Sequence, residues 1–131
     1  MQKKVQKLFF QDKLKLLLLV TLGTLSWVVT MVKSGLVYPY GMGFWGPNGH
    51  DGVWHIALAQ SFARGSFEMP TLSGVKLQNY HVGFDFLLAL VSKVTAVPIH
   101  NLYFQVFPVL IGISIGILTF VFVYKWKSSI Q

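Results

Sequence analysis

The stretch LYFQVFPVLIGISIGILTFVFVY, residues 102–124, carries no formal charge and ends before Lys125. At a rise of about 1.5 Å per residue, a helix over this stretch is about 34 Å long, which is enough to cross the hydrocarbon core of a bilayer. Pro108 predicts a kink near its start. Gly112 and Gly116 form the small-xxx-small pair that suits close packing against another membrane helix. We therefore expect a transmembrane helix over 102–124.

The composition of the whole chain is also typical of a membrane protein. Of its 131 residues, 53% are hydrophobic and 11% are charged, whereas a soluble domain carries about 25% charged residues. The chain has no cysteine, which excludes a disulfide scaffold and a cysteine-ligated metal site. Its net charge of +7 is concentrated at the two ends, beside apolar runs. This distribution favours contact with anionic membrane lipids, and nothing in it indicates a nucleic-acid partner.

Two further apolar runs precede this stretch. The first, residues 16–32, is uncharged between Lys15 and Lys33. As a helix it would be about 26 Å long, near the lower limit for crossing a bilayer. The five lysines of residues 1–15 should hold its start in the cytoplasm. A cleavable signal peptide is the alternative, but no clear small-x-small cleavage site follows, so we interpret the run as an uncleaved signal anchor.

The second run, residues 82–97, is less apolar because Asp85 and Lys93 interrupt it. Asp85 lies near its start and Lys93 near its end, where the lysine can extend to an interface. Pro98 terminates it. We expect another transmembrane helix here.

Together these runs predict an all-α membrane protein with three transmembrane helices and a long external loop that carries a juxtamembrane helix. We expect its N-terminus to lie in the cytoplasm and the protein to be in the plasma membrane. The predicted segments are a basic N-terminus (1–15), helix 1 (16–32), an external loop (33–81), helix 2 (82–97), a turn (98–101), helix 3 (102–124) and a tail (125–131). Three spans would leave the lysines of the tail outside, against the positive-inside rule. If 82–97 were a re-entrant or surface helix, the tail would be cytoplasmic instead.

The external loop contains a short amphipathic helix, predicted over about 51–64. Asp51 is a favourable N-cap, and Gly65 is a favourable residue just after the end. Asp51 and His55 are four residues apart and are therefore neighbours on the helix surface. A carboxylate at the membrane boundary can accept a proton from an attacking hydroxyl, so Asp51 is the candidate general base. The alternative is that it only caps the helix.

His50, Asp51 and His55 also form a set that suits a divalent metal, since two imidazoles and a carboxylate are usable ligands. The two histidines are five residues apart, one more than the spacing that places a pair on one helix face. A metal site is therefore the weaker hypothesis, and the sequence indicates no other cofactor.

A second polar group lies where the loop enters the run at 82–97. His81 and Asp85 are four residues apart, so a mutual hydrogen bond would satisfy both at the interface. Lys76 and His81 could instead contact a phosphate, because polar residues at a membrane entrance are often functional. With Tyr80 beside them, they are candidates for substrate binding.

Three segments follow the first apolar run in a fixed order: HDGVWH at 50–55, GSFEMPTLSG at 65–74 and NYHVG at 79–83. After a basic N-terminus and a first span, this order resembles the N-terminal part of the polytopic GT-C glycosyltransferases. That superfamily includes protein O-mannosyltransferases, aminoarabinose transferases and oligosaccharyltransferase catalytic subunits. The resemblance covers most of the chain and implies a longer protein with many more spans, of which this chain is the N-terminal portion.

The resemblance also implies roles for individual residues. Asp51 matches the acidic residue of the first external loop, which in the family is the catalytic base or a metal-linked group that positions the acceptor. Gly52 stands where many members have a second acidic residue. His81 matches the histidine that opens the second span, and Lys76 and Arg64 are candidates for the donor phosphate. The implied donor is a polyprenyl-phosphate-linked sugar, and the implied acceptor is a hydroxyl or an amine.

The predicted substrate contacts also include His55 and Tyr80, and the predicted partners include the remaining helices of the full-length chain.

Two other classes of function stay open. The chain could be a small non-enzymatic membrane protein that packs onto a larger complex through Gly112 and Gly116. It could also be a transporter fragment in which Asp85 is a relay group.

Overall fold

The computed structural model describes residues 2–129, with side chains over 13–123, 125 and 126. It is mostly helical, with 67% helix and little strand. Its contacts divide the chain into two compact units. The two-helix unit comprises the chain up to Thr30 and from Pro108 onward, and the loop unit comprises Met31–Phe107.

The helices and strands are short except at the two ends of the chain. In chain order they are α1 (Gln2–Met31), β1 (Val37–Tyr38), β2 (Gly41–Met42), a 3-10 turn (Gly46–Gly49), α2 (Asp51–Ala63), α3 (Gly83–Thr95), α4 (Ile99–Asn101), a π-helical turn (Leu102–Val106) and α5 (Phe107–Ser129). The two strands pair antiparallel, with Val37 opposite Met42 and Tyr38 opposite Gly41. This hairpin is a small departure from the predicted all-α architecture.

Two stretches are apolar and long enough to cross a membrane, by length and composition. They are Lys13–Met31, with a mean hydropathy of 1.8, and Ile99–Val123, with a mean hydropathy of 2.6. They overlap the spans predicted at 16–32 and 102–124. The membrane character of the sequence therefore rests on these two stretches.

The second stretch begins earlier than the sequence predicted. Residues Ile99–Asn101 are helical, whereas the sequence predicted a turn over 98–101. Pro98 is extended, with φ of −57° and ψ of 139°, and it forms the N-cap of this helix. Because proline favours this φ and lacks an N–H to be satisfied, a new helix can begin directly after it.

The span predicted at 82–97 is not confirmed. α3 has 13 residues, and a helix of that length extends about 20 Å, short of a bilayer core of about 30 Å. It ends at Thr95 because Ala96 adopts a left-handed conformation with φ of 59°. Its Leu88 and Ala89 are buried in hydrophobic clusters with residues of α2. The buried apolar residues of α3 therefore belong to the core of the loop unit.

In the two-helix unit, the glycine pair of α5 faces α1. A Cβ atom added at Gly116 would lie 2.9 Å from Val20 Cγ2, and one added at Gly112 would lie 3.1 Å from Thr24 Cγ2. Thr24 is 8% exposed, and its hydroxyl has no hydrogen-bond partner among the described residues. The small-xxx-small face is therefore occupied within this chain.

The loop unit is built around the packing of α2 against α3. Its main core cluster consists of Ile56, Ala59, Leu88, Ile99, Leu102 and Phe104. A second cluster is formed by Leu58, Phe62 and Ala89. Gln105 Nε2 donates hydrogen bonds of 2.8 Å to the carbonyl oxygens of Val32 and Ser34. These bonds fix the segment after α1 to the π-helical turn.

Phe104 is fully buried and leaves no space for side chains at two glycines. Gly35 has a φ of +73°, and a Cβ atom there would lie 2.6 Å from Phe104 Cδ2. A Cβ atom at Gly52 would lie 2.5 Å from Phe104 Cζ. The second acidic residue that the GT-C resemblance would place at position 52 therefore has no room in this fold.

We expect Gly35→Ala to lower the free energy of unfolding by roughly 2–4 kcal/mol. The positive φ costs an alanine about 1 kcal/mol, and overpacking against Phe104 adds about 1–3 kcal/mol. Gly74→Ala is the matched control, because Gly74 has a φ of +79° and open space around it. It should lose only about 1 kcal/mol. Thermal unfolding of the two variants measures the difference, and equal losses would contradict the role of Phe104.

Candidate functional site

The candidate site begins where the 3-10 turn leads into α2. Pro47 lies at the start of the 3-10 turn. The N-cap of α2 is His50, which makes no side-chain capping hydrogen bond. Asp51 is the first residue of the helix, and the sequence-based assignment of Asp51 as N-cap is wrong. α2 begins one residue earlier than a cap at Asp51 would require, so His50 takes the capping position.

Asp51 presents an exposed carboxylate beside an exposed imidazole. Its Oδ1 lies 2.7 Å from His50 Nδ1, and the two side chains are 76% and 93% exposed. Exposed ion pairs of this kind contribute little to stability. Asp51 is also the acidic residue in the first turn of α2, where its charge interacts favourably with the helix dipole.

An open cleft of about 520 Å³, the Asp51 cleft, lies beside this carboxylate. It is lined by Gly49, His50, Asp51, Val53, Trp54, Ala57, Thr71 and Tyr80. Trp54 and Tyr80 meet edge to face, with ring centroids 6.0 Å apart. An apolar, aromatic wall with a few polar groups is typical of small-molecule sites. Aromatic rings also offer a flat apolar surface against which a sugar ring can pack.

One turn further along α2, His55 pairs with Asp85 of α3. His55 Nδ1 and Asp85 Oδ1 are 2.8 Å apart, and the side chains are 20% and 0% exposed. The sequence offered His81 as the partner of Asp85, and that pairing is wrong. α3 begins at Gly83, so His81 lies outside the helix and helical spacing does not apply to it. Asp85 Oδ2 has no hydrogen-bond partner among the described residues.

Aromatic rings surround His55. Its imidazole stacks on Tyr103, with centroids 5.9 Å apart and an interplanar angle of 19°. The ring centroids of Tyr80 and His81 lie 6.3 and 6.4 Å from that of His55. The rings of Tyr80 and His81 stack on each other, with their centroids 4.5 Å apart. The structure thus brings together three predicted substrate contacts, His55, Tyr80 and His81. Tyr80 connects them to the Asp51 cleft, which it also lines.

The two basic candidates lie elsewhere in the loop unit. Lys76 is exposed and forms an isolated antiparallel bridge with Glu68. Arg64 is the C-cap of α2. At about 1.5 Å per residue, Arg64 is about 20 Å from Asp51 along the helix axis, too far for both to act on one sugar–phosphate bond. The structure therefore does not bring Arg64 to the Asp51 cleft.

Arg64 instead lines a second, more polar cleft of about 270 Å³. The other residues of its wall are Ala57, Gln60, Ser61, Ser66, Glu68, Met69, Pro70 and Ser73. Ala57 belongs to the walls of both clefts. The two clefts therefore follow one another along α2.

The three residues considered for a divalent metal are divided between two pairs. His50 contacts Asp51, whereas His55 contacts Asp85. Among the side chains that the structure describes, no group of three His, Asp or Glu is arranged to hold a metal ion. The geometry thus gives the metal hypothesis no support.

Two residues of the site were not assigned by sequence reasoning. Asp85 was considered only as a partner of His81 or as a relay group, although a carboxylate inside an apolar run is a signal of function. Tyr103 lies in the π-helical turn, a kind of element that is frequent at functional sites. No sequence signal separates it from the other aromatic residues of its apolar stretch.

Comparison with known proteins identifies no relative, since the chain matches no family model, no curated protein and no solved structure. Any assignment of function must therefore be argued from the order of the sequence segments and from the geometry of the site.

Proposed function

We propose that this chain is the N-terminal portion of a membrane glycosyltransferase, which transfers a sugar from a polyprenyl-phosphate donor to an acceptor hydroxyl or amine at the external face of the membrane. The observation that carries the proposal is the Asp51 cleft. It combines an exposed carboxylate that does not cap its helix with the aromatic wall of Trp54 and Tyr80. The GT-C-like order of the sequence segments supports the same function.

In this reaction Asp51 is the general base. It takes the proton of the acceptor while the acceptor oxygen or nitrogen attacks the anomeric carbon of the sugar. The bond from that carbon to the phosphate oxygen breaks, and its electron pair stays on the phosphate. The products are the glycosylated acceptor, inverted at the anomeric carbon, and polyprenyl phosphate. His81, which stacks on Tyr80 beside the Asp51 cleft, is the group that would stabilise the charge on the leaving phosphate.

The number of spans supports an external position for Asp51. If both candidate stretches cross the membrane, the chain returns to the side on which it begins. The basic N-terminus favours the cytoplasm, and Lys125 and Lys127 then lie on that side as well. Two spans therefore remove the conflict with the positive-inside rule that three spans create. Asp51, between the two spans, then faces the outside of the plasma membrane.

The test is transfer of a radiolabelled sugar from its polyprenyl-phosphate carrier. The full-length protein in liposomes is supplied with carriers that bear different sugars and with hydroxyl and amine acceptors. We expect label in the acceptor with at least one carrier. Absence of transfer from every carrier, with the carriers shown to be intact at the end, would overturn the proposal.

No observation on the described residues favours either alternative function. A helix-packing subunit was expected to present Gly112 and Gly116 to a partner, but these glycines face α1 of the same chain. A transporter relay group must exchange protons with a pathway. The Asp85 side chain is fully buried and is held by His55. The glycosyltransferase is therefore the function that the site supports best.

A further inference from the structure

Asp85 is a carboxylate in the protein interior that the proposed reaction does not use. Its side chain is 0% exposed, and it stands on the same helix as the buried Leu88 and Ala89. Burying a carboxylate is unfavourable unless it is paired and hydrogen-bonded. Among the described residues its one hydrogen-bond partner is His55. Folding alone does not explain this arrangement, because an apolar side chain would fill the position without that cost.

The contact between the two residues determines where His55 carries its proton. If Asp85 is ionised, its carboxylate only accepts hydrogen bonds, and His55 Nδ1 is then the donor to Asp85 Oδ1. In a neutral imidazole the other nitrogen, Nε2, then has no proton and is an acceptor. Nε2 has no hydrogen-bond partner among the side chains and backbone that the structure describes. The pair therefore leaves one unprotonated ring nitrogen available to a ligand.

The orientation of the imidazole is fixed as well as its proton. The ring stacks on Tyr103 and is held to α3 by Asp85. His55 and Asp51 are four residues apart on α2, and Cβ atoms at this spacing lie about 5–6 Å apart. Tyr80 lines the Asp51 cleft, and its ring centroid lies 6.3 Å from that of His55, so an acceptor substrate that packs against Tyr80 is close to His55.

We propose that Asp85 is a positioning residue, which holds His55 in the tautomer with the proton on Nδ1 so that Nε2 accepts a hydrogen bond from the acceptor substrate. This inference rests on the proposed function, because it gives His55 a role in the same site. Its first part, the tautomer, does not depend on activity and can be measured directly.

The tautomer is measured by 15N NMR of the full-length protein with labelled histidine. The His55 signal is identified by its loss in the His55→Asn variant. We expect a neutral imidazole with a protonated Nδ1 and an unprotonated Nε2. In Asp85→Asn, whose amide can also donate, the fraction of the other tautomer should rise. A proton on Nε2 in the wild type would overturn the proposal, because Nε2 could then not accept a hydrogen bond from the substrate.

The use of Nε2 is tested by His55→Asn in the sugar-transfer assay. The asparagine N–H takes the position of Nδ1–H and can donate to Asp85, but asparagine has nothing in the position of Nε2. We expect a thermal unfolding midpoint close to that of the wild type and a transfer rate lowered by about 10-fold or more. Transfer at the wild-type rate would overturn the proposal, since a purely structural role of His55 is preserved in this variant.

Asp51→Asn in the same assay separates failure of this inference from failure of the proposed function. If Asp51→Asn is inactive and His55→Asn is fully active, the glycosyltransferase proposal stands and the inference about His55 is wrong. If the wild type transfers no sugar at all, the proposed function is wrong, and the NMR measurement alone decides the role of Asp85.

Discussion

Replacing Asp51 by asparagine is expected to lower sugar transfer by roughly 10²–10⁴-fold, the range that general-base catalysis supplies. Asparagine has nearly the same size and still accepts a hydrogen bond, but it cannot take the proton of the acceptor. Because the Asp51 side chain is 76% exposed, the variant should unfold within about 0.5 kcal/mol of the wild type. The measurement is the initial rate of transfer by the full-length protein in liposomes.

Glu68→Gln is the matched control for this variant. Glu68 is another exposed carboxylate of the loop unit, and its Oε2 accepts a hydrogen bond of 3.1 Å from the Gly74 N–H. Glutamine can accept the same bond, so we expect transfer at the wild-type rate. Full activity of Asp51→Asn would show that this carboxylate is not the base. Loss of activity together with thermal stability would favour a structural role of Asp51 at the start of α2.

The two long apolar stretches could be predicted from the sequence, because crossing a membrane depends on length and composition. The third predicted span, at 82–97, could not be judged in the same way. The mean hydropathy of this run does not distinguish a helix that faces lipid from one that packs against protein. The decisive feature is the left-handed backbone at Ala96, which ends α3 after 13 residues. Alanine rarely adopts this conformation, so the sequence carries no signal of it.

The pairs of the candidate site could not be predicted from local spacing. Helical spacing favoured contacts of Asp51 with His55 and of His81 with Asp85. The structure instead pairs His55 with Asp85, which are 30 residues apart and meet through the packing of α2 on α3. The i, i+4 rule holds only within one helix, and α3 begins after His81. The residue types of the site were therefore predictable, but their partners were not.

The requirement for glycine at position 52 also comes from a contact between residues that are distant in the chain. The GT-C resemblance implies only that Gly52 stands where many members have a second acidic residue. The structure gives a physical reason, since the ring of Phe104 occupies the space that a side chain would need. A contact between residues so far apart in the chain has no local signature.

Replacing His55 by leucine is expected to destabilise the loop unit by about 3–5 kcal/mol, the cost of leaving a buried charge without its partner. Asp85 Oδ2 already has no partner among the described residues, so the variant removes the one hydrogen bond that this carboxylate has there. His55→Asn is the matched control, because its amide still donates to Asp85. Thermal unfolding in detergent micelles, followed by circular dichroism, measures both variants. Equal stability of His55→Leu and His55→Asn would contradict the prediction.

Removing both partners should recover much of this loss, because a buried polar pair can often be replaced by apolar residues at little cost. The variant with both His55→Leu and Asp85→Leu should therefore be more stable than His55→Leu alone, with an interaction energy of at least about 1 kcal/mol. If the losses of unfolding free energy in His55→Leu alone and Asp85→Leu alone simply add in the double variant, His55 does not hold Asp85. The argument for a fixed tautomer then fails. If the double variant is as stable as the wild type but inactive, the pair serves the chemistry of the site. A buried carboxylate that folding does not need is then explained by its control of the proton on His55.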